Sequence, residues 1–224
     1  MSAAPRKART ASKVVRVRMY NVGFGDAFLV LAPVPGGVRK ILFDCGSVAS
    51  GGASIDTVAN RIIADATDAD GKARIDVVVC THRHKDHVSG FASKAWDRVA
   101  VGEVWMPWTE HPDDADARRI RNTQSRLAAA LDGAVRARLA ARGLSAAERG
   151  RWQMALMLAD NALSNANAME TLHNGFAGDP VRRFLPGKSD SVRLVTPTLS
   201  GVTTWVMGEV AGFFWTPTRC CVGV

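Results

Sequence analysis

Residues 75–90 read IDVVVCTHRHKDHVSG, and the reading of this stretch decides the fold. Its first six residues are mostly β-branched and apolar, too short a run for a helix and suited to a strand buried on both faces. The ten that follow hold His82, His84, Asp86 and His87 within six positions, three of the five histidines in the chain. In a turn leaving a strand end, His82 and His84 can send imidazoles to one metal ion, while Asp86 and His87 turn toward an adjacent second position. Neutral imidazole and carboxylate suit Zn²⁺, and Fe or Mn fits the same ligand types. Two such ions, ~3.5–4 Å apart, acidify water, so that an ester, amide or phosphodiester is hydrolysed with no protein nucleophile. Asp86 can also orient the attacking water, which makes it the candidate catalytic residue. The bland alternative is an exposed polar turn whose histidines merely interleave with Arg83 and Lys85.

Upstream of this stretch, Val15, Val17 and Met19 alternate with Arg16, Arg18 and Tyr20, the period of a half-buried strand. Gly23 and Gly25 mark a turn, residues 27–31 are a continuous apolar run, and Pro35, Gly36 and Gly37 separate it from a third run at 41–43. Three successive strands joined by turns is the simplest reading. Ser54 is placed to cap a helix whose apolar positions Ile55, Val58, Ala59, Ile62, Ile63 and Ala66 form one face, to be laid on the sheet. Downstream, residues 103–106 make a short strand closed by Pro107. Beyond Pro112 the composition turns to Ala and Arg, with Asp113, Asp114 and Asp116 suited to a helix N-terminus. An apolar stripe of Ile120, Leu127, Leu131, Val135 and Leu139 runs toward a stop at Gly143. Ser145 and Glu148 form a capping box for a second helix, with Trp152, Ala155, Leu156, Ala159, Leu163 and Ala166 on one face. The expected result is a helical hairpin over about 113–174, inserted into an α/β frame. Weaker strand candidates follow at 192–195 and 203–207.

The composition fits a globular chain: 224 residues, 47% hydrophobic and 22% charged. No run approaches the ~18 apolar residues of a membrane span, and no apolar stretch behind the basic start reads as a secretory signal, so the expected compartment is the cytoplasm. Cysteines 45, 80, 220 and 221 lack C-x-x-C spacing and are expected to be reduced, the first two buried. Of the 29 basic residues behind the net charge of +8, six (Arg6, Lys7, Arg9, Lys13, Arg16 and Arg18) lie in the first 18 positions without an acid, leaving 23 against 21 acidic. The surplus is therefore an arm, with residues 1–13 expected to be flexible and 14–224 to form the domain. Such an arm contacts phosphates or serves as a solubilising tail.

The H-x-H-x-D-H segment after an apolar strand resembles the signature of the metallo-β-lactamase fold hydrolases. The resemblance extends to N-V-G-F-G-D-A at 21–27 and I-L-F-D-C-G at 41–46, which are similar to the first two strands of the branch found in competence-type DNA-uptake proteins. It covers roughly residues 15–107. It implies an αβ/βα sandwich, metal ligation by His82, His84, Asp86 and His87, and a supporting role for Asp44 through hydrogen bonds to the metal loop. On its own spacing, an acid before Cys-Gly is as readily a turn former.

The family's later ligands, a further histidine, a bridging aspartate in a Gly-Asp turn and an H-H-G histidine, have no plain counterpart. His111 and His173 are the only histidines beyond residue 90, and Gly178-Asp179 precedes Pro180 in a loop instead of following a strand. One sheet layer of the sandwich plus the helical insertion is therefore expected, the N-terminal portion of such an enzyme, as a truncated or frame-shifted product would give. An uncovered sheet face would then favour self-association. The expected function is a metal-dependent hydrolase acting on a small-molecule or phosphodiester substrate, with one or two metals. The rivals are a non-catalytic metal-binding remnant and a basic nucleic-acid-binding module.

Overall fold

The computed structural model describes residues 14–49, 52–141, 143–163, 165–187 and 191–207; the basic arm at 1–13 and Cys220 and Cys221 lie outside them. The three expected N-terminal strands are β1 (Arg16–Met19), β2 (Phe28–Val34) and β3 (Gly37–Phe43), an antiparallel meander. Ser54 caps α1 (Ile55–Ala66) by accepting a hydrogen bond from the Thr57 amide, and Val58, Ala59, Ile62, Ile63 and Ala66 are its buried face. The run at 75–80 lies in β4 (Arg74–Val79), parallel to β3 on one side and to β5 (Ala100–Pro107) on the other. Between them come the one-turn helix α2 (Lys85–Val88) and two 3-10 turns that bury Phe91 and Trp96. The helices α3 (Ala115–Ala140), α4 (Ala146–Leu163) and α5 (Ala166–Glu170) separate β5 from β6 (Val181–Leu185), which adds parallel to β5. The product is a mixed α/β structure with a six-stranded sheet in the order β1-β2-β3-β4-β5-β6.

The two faces of this sheet are covered differently. Leu29, Leu31, Leu42, Val78, Val104 and Met106 meet α1, the Phe91 and Trp96 turns, and Met169, Leu172 and Phe176 in the main core. On the opposite face Ile41, Val77 and Trp105 pack with Leu199, Leu194 and Val202, contributed by the separate hairpin of β7 (Ser191–Leu194) and β8 (Thr204–Met207) and its connection. This smaller cover stops short of the edges, where Val17, Met19 and Val181 remain exposed. Cys45 and Cys80 are free and buried. No helix among the described residues is long and apolar enough to cross a membrane.

Two local expectations are corrected, and one strand lies where none was expected. The first strand is not half-buried, since all four residues of β1 are exposed. It is an edge strand lying beyond both covering layers, tied to α1 by Arg18, which pairs with Asp65, and just past its end by the Tyr20 hydroxyl, which donates to the same carboxylate. The stripe expected on α3 is only partly its seam: Val135 is buried and Ile120 and Leu139 are half-buried, but Leu127 and Leu131 are exposed, and Ala117 and Ala128 are buried in their place. Alanine lets the helices approach, and the seam follows contact distance more than side-chain size. The added strand is β6, whose VRRFL sequence gives no strand alternation. Arg183 on β6 donates to the Glu103 carboxylate of β5 at 2.7 Å, and the Trp105 indole donates to the same group at 2.8 Å.

Glu103 is only 1% exposed. Burial acts to raise its pKa, but the hydrogen bonds from Arg183, Trp105, Thr198 and Thr196 outweigh burial and hold it at about 2. Glu103→Ala is expected to cost ~2–3 kcal/mol in urea denaturation, because the Trp105 donor is left unpaired while Arg183 is partly resolvated. A midpoint equal to that of the parent would contradict this. The folded-state pKa lies below the ordinary glutamate value of ~4.3. The carboxylate's contribution is therefore full above that value and lost as pH falls toward about 2.

Candidate metal centre

The parallel strands β3, β4, β5 and β6 end on one edge of the sheet, and the antiparallel β2 begins there. The carboxyl edge of parallel strands is where α/β sheets present ligand-binding loops. Asp44 leaves β3 at this edge, residues 81–90 leave β4, and Asp26 lies just before β2.

Asp44 is 3% exposed and adopts the left-handed backbone conformation, φ 53°. Its Oδ1 accepts from the Thr81 amide at 2.8 Å, and its Oδ2 from the Thr81 hydroxyl at 2.6 Å and His87 Nδ1 at 2.9 Å. Main-chain bonds stack the three loops. The Cys45 amide donates to His87 O, the Asp26 amide to Asp86 O, and the Gly46 amide to Asp26 O, all within 2.8–3.0 Å. Approach this close explains two glycines: a Cβ on Gly46 would overlap the backbone of Asp86 and His87, and one on Gly25 would overlap the carbonyls of Gly46 and Asp86.

Three of the four expected ligands, His82, His84 and Asp86, come together on this platform, with His87 beside them. One donor atom each from His82, His84 and Asp86 lies within 4.8 Å of the others. His87 stacks against His82 with ring centroids 3.7 Å apart, and its Nε2 is 3.5 Å from Asp86 Oδ2. Hydrogen bonding sets the tautomers. His87 donates from Nδ1 to Asp44, which leaves Nε2 as its free donor atom. The Thr81 hydroxyl proton goes to Asp44, so Thr81 Oγ1 accepts from His82 Nδ1 at 3.1 Å and leaves His82 Nε2 likewise free. Burial, followed by the neighbouring His87 and His84, lowers the His82 pKa to about 4. Burial also lowers that of His84. For His87 burial acts in the same direction, but the hydrogen bond to Asp44 together with the charges of Asp44, Asp86 and Asp26 outweighs it and raises the value. Two neutral imidazoles, a carboxylate and a third imidazole oriented by a carboxylate are the donor chemistry of a zinc-type ion. Zinc–nitrogen bonds of ~2.0–2.1 Å place donors on one ion within ~4 Å of each other, so the group is close to convergence without rebuilding the loop. His84 is exposed, which keeps the cluster open to solvent.

The two cations that interleave the histidines are each held by a carboxylate. Arg83 lies 3.7 Å from the buried Glu110 at the end of β5, and Lys85 is 2.9 Å from Asp160 on α4. Glu110, whose burial raises its pKa against the attraction of Arg83 and Arg121, was not among the residues singled out from sequence. Neither was Asp26, whose Oδ2 is 3.5 Å from His87 Nδ1. Its signal was present in the glycine-rich 21–27 segment, but nothing in that segment says which loop it faces. Among the described residues His82, His84 and Asp86 form the one group of this kind. His111 and His173 flank Phe184 instead, with ring centroids at 4.5 and 6.0 Å. Asp179 is fully in solvent beside Arg182. No protein-family model and no curated protein matches the chain.

Proposed function

We propose that the protein is a metal-dependent hydrolase of the metallo-β-lactamase superfamily that cleaves an ester or phosphodiester bond. The observation carrying this reading is the convergence of His82, His84 and Asp86 at the carboxyl edge of a parallel sheet, with His87 oriented by Asp44. A six-stranded sheet with its main helices on one face is also what one αβ layer of that sandwich requires. His82, His84, Asp86 and His87 would hold one or two ions, zinc by donor type, with iron or manganese accommodated by the same set. A bound divalent ion supplies Lewis acidity and brings the pKa of water toward ~7. The chain's own contributions are orientation and proton handling. Asp44 and Thr81 fix the imidazole tautomers, and Asp86 accepts a proton from, or aligns, an attacking water at the exposed side of the cluster. A phosphodiester fits the resemblance to the DNA-uptake branch, and the basic arm at 1–13 would add attraction to nucleic acid.

Zinc titration of the purified chain by calorimetry, followed by assays with bis(p-nitrophenyl) phosphate and p-nitrophenyl acetate, tests the reading. Stoichiometric binding with chelator-sensitive turnover of either substrate is expected. A chain that binds no zinc, iron or manganese would sink it. A second reading, a metal-binding module without turnover, is favoured by the single ligand group found among the described residues. Tight binding without hydrolysis decides for it.

A further inference from the structure

The crossover from β5 to β6 could be short, yet it carries the α3–α4 hairpin, and the returning end of that hairpin lands on the metal turn. Asp160 pairs with Lys85 at 2.9 Å, and Asn165 Nδ2 donates to the Arg83 carbonyl at 2.6 Å. Between these, Asn161 meets Asp86 at two points. Its Nδ2 donates to Asp86 Oδ1 at 3.1 Å, and its Oδ1 accepts from the Asp86 amide at 3.3 Å. The amide orientation is unambiguous, because a backbone N–H only donates and an ionised carboxylate only accepts. We infer that Asn161 is a positioning residue for the metal centre, holding the Asp86 carboxylate by one oxygen so that the other faces the cation.

This inference rests on the metal-hydrolase reading and adds a residue from outside the H-x-H-x-D-H turn. Several observations support it. Asp86 Oδ1 is occupied by Asn161, while Oδ2 lies toward His87 Nε2 at 3.5 Å. Asn161 is itself anchored, since Asn165, 2% exposed, donates to its carbonyl at 2.8 Å. A neutral amide is also the fitting side chain for the task. A lysine or arginine would neutralise the ligand that a cation needs, and an apolar residue would leave the carboxylate free to rotate.

The experiment uses the full chain with Co²⁺, whose visible absorption reports ligand geometry, and compares Asn161→Ala with Asp160→Asn. The first removes the grip on Asp86. The second removes the neighbouring Lys85–Asp160 ion pair and its charge while leaving the Asn161 amide in place. Asn161→Ala is expected to weaken Co²⁺ binding ~10–100-fold, the range for loss of an outer partner of a ligand, and to change the absorption envelope. Asp160→Asn should stay within ~5-fold, the ceiling for an exposed ion pair. Circular dichroism of the metal-free variants checks the fold. Should alanine unfold the hairpin, Asn161→Gln, with its amide on a longer arm, is judged by the same two readouts. Parental affinity and spectrum in the Asn161 variant overturn the inference while leaving the metal reading intact. Equal losses in both variants assign the effect to docking of α4 and also overturn it. A parent chain that takes up no Co²⁺ removes the metal reading, and this inference with it.

Discussion

His84→Ala is expected to weaken zinc binding by more than ~100-fold, beyond the range for losing an outer partner, while leaving the chain folded. The side chain lies at the exposed side of the turn, and its residue is the N-cap of α2 with no side-chain capping bond. Truncation therefore removes a donor atom without opening the core. His82 would be a less clean choice, since its ring stacks on His87 and touches Thr81. Calorimetric zinc titration alongside thermal melting separates the two effects. Zinc affinity within a few-fold of the parent would show that His84 binds no ion.

Asp44→Ala is expected to do damage of both kinds, costing ~3–5 kcal/mol of stability and ~10–100-fold in zinc affinity. The stability loss has two sources. Alanine in the left-handed conformation is disfavoured by ~1–2 kcal/mol, and the donors on Thr81 lose a buried acceptor at ~1–3 kcal/mol per unsatisfied group. The affinity loss arises because His87 is released from the carboxylate that fixes its tautomer. Asp44→Asn divides these effects: asparagine tolerates positive φ, but its single oxygen cannot replace both Oδ1 and Oδ2, so at least one of the three donors (Thr81 amide, Thr81 hydroxyl, His87 Nδ1) meets an NH₂ group. It should retain more stability than alanine and still lose metal affinity. Urea denaturation that places the alanine variant within 1 kcal/mol of the parent would remove Asp44 from its bracing role.

The parts of this structure legible in advance are those whose cause is local. The β-branched run before the histidines gives β4, and the spacing of Val58, Ala59, Ile62, Ile63 and Ala66 behind Ser54 gives α1. Capping signals give α3 and α4, with Asp114 accepting from the Ala117 amide and Ser145 and Glu148 bonded reciprocally. The cluster of His82, His84, Asp86 and His87 is legible for the same reason, because donor groups within six residues need only one turn to meet.

Contacts across long separations were not legible. β6 is a strand through its parallel pairing with β5, with Arg183 bonded to Glu103 80 residues away, and no periodicity in VRRFL announces that. Leu127 and Leu131 look like a buried stripe until the partner helix takes the alanine side of α3. Asp26, Glu110 and Asn161 each reach the metal turn from a different element, and their types alone fit any solvated surface. Local sequence thus determined the strand, the turn and the clustering of His82, His84 and Asp86 by itself, since backbone preference and donor spacing act over a few residues. Beyond Asp44, tertiary structure alone decided which carboxylates and amides surround that cluster, Asp26, Glu110 and Asn161 among them. A carboxylate or amide becomes selective only when folding buries it beside one particular partner and removes the water that would otherwise satisfy it.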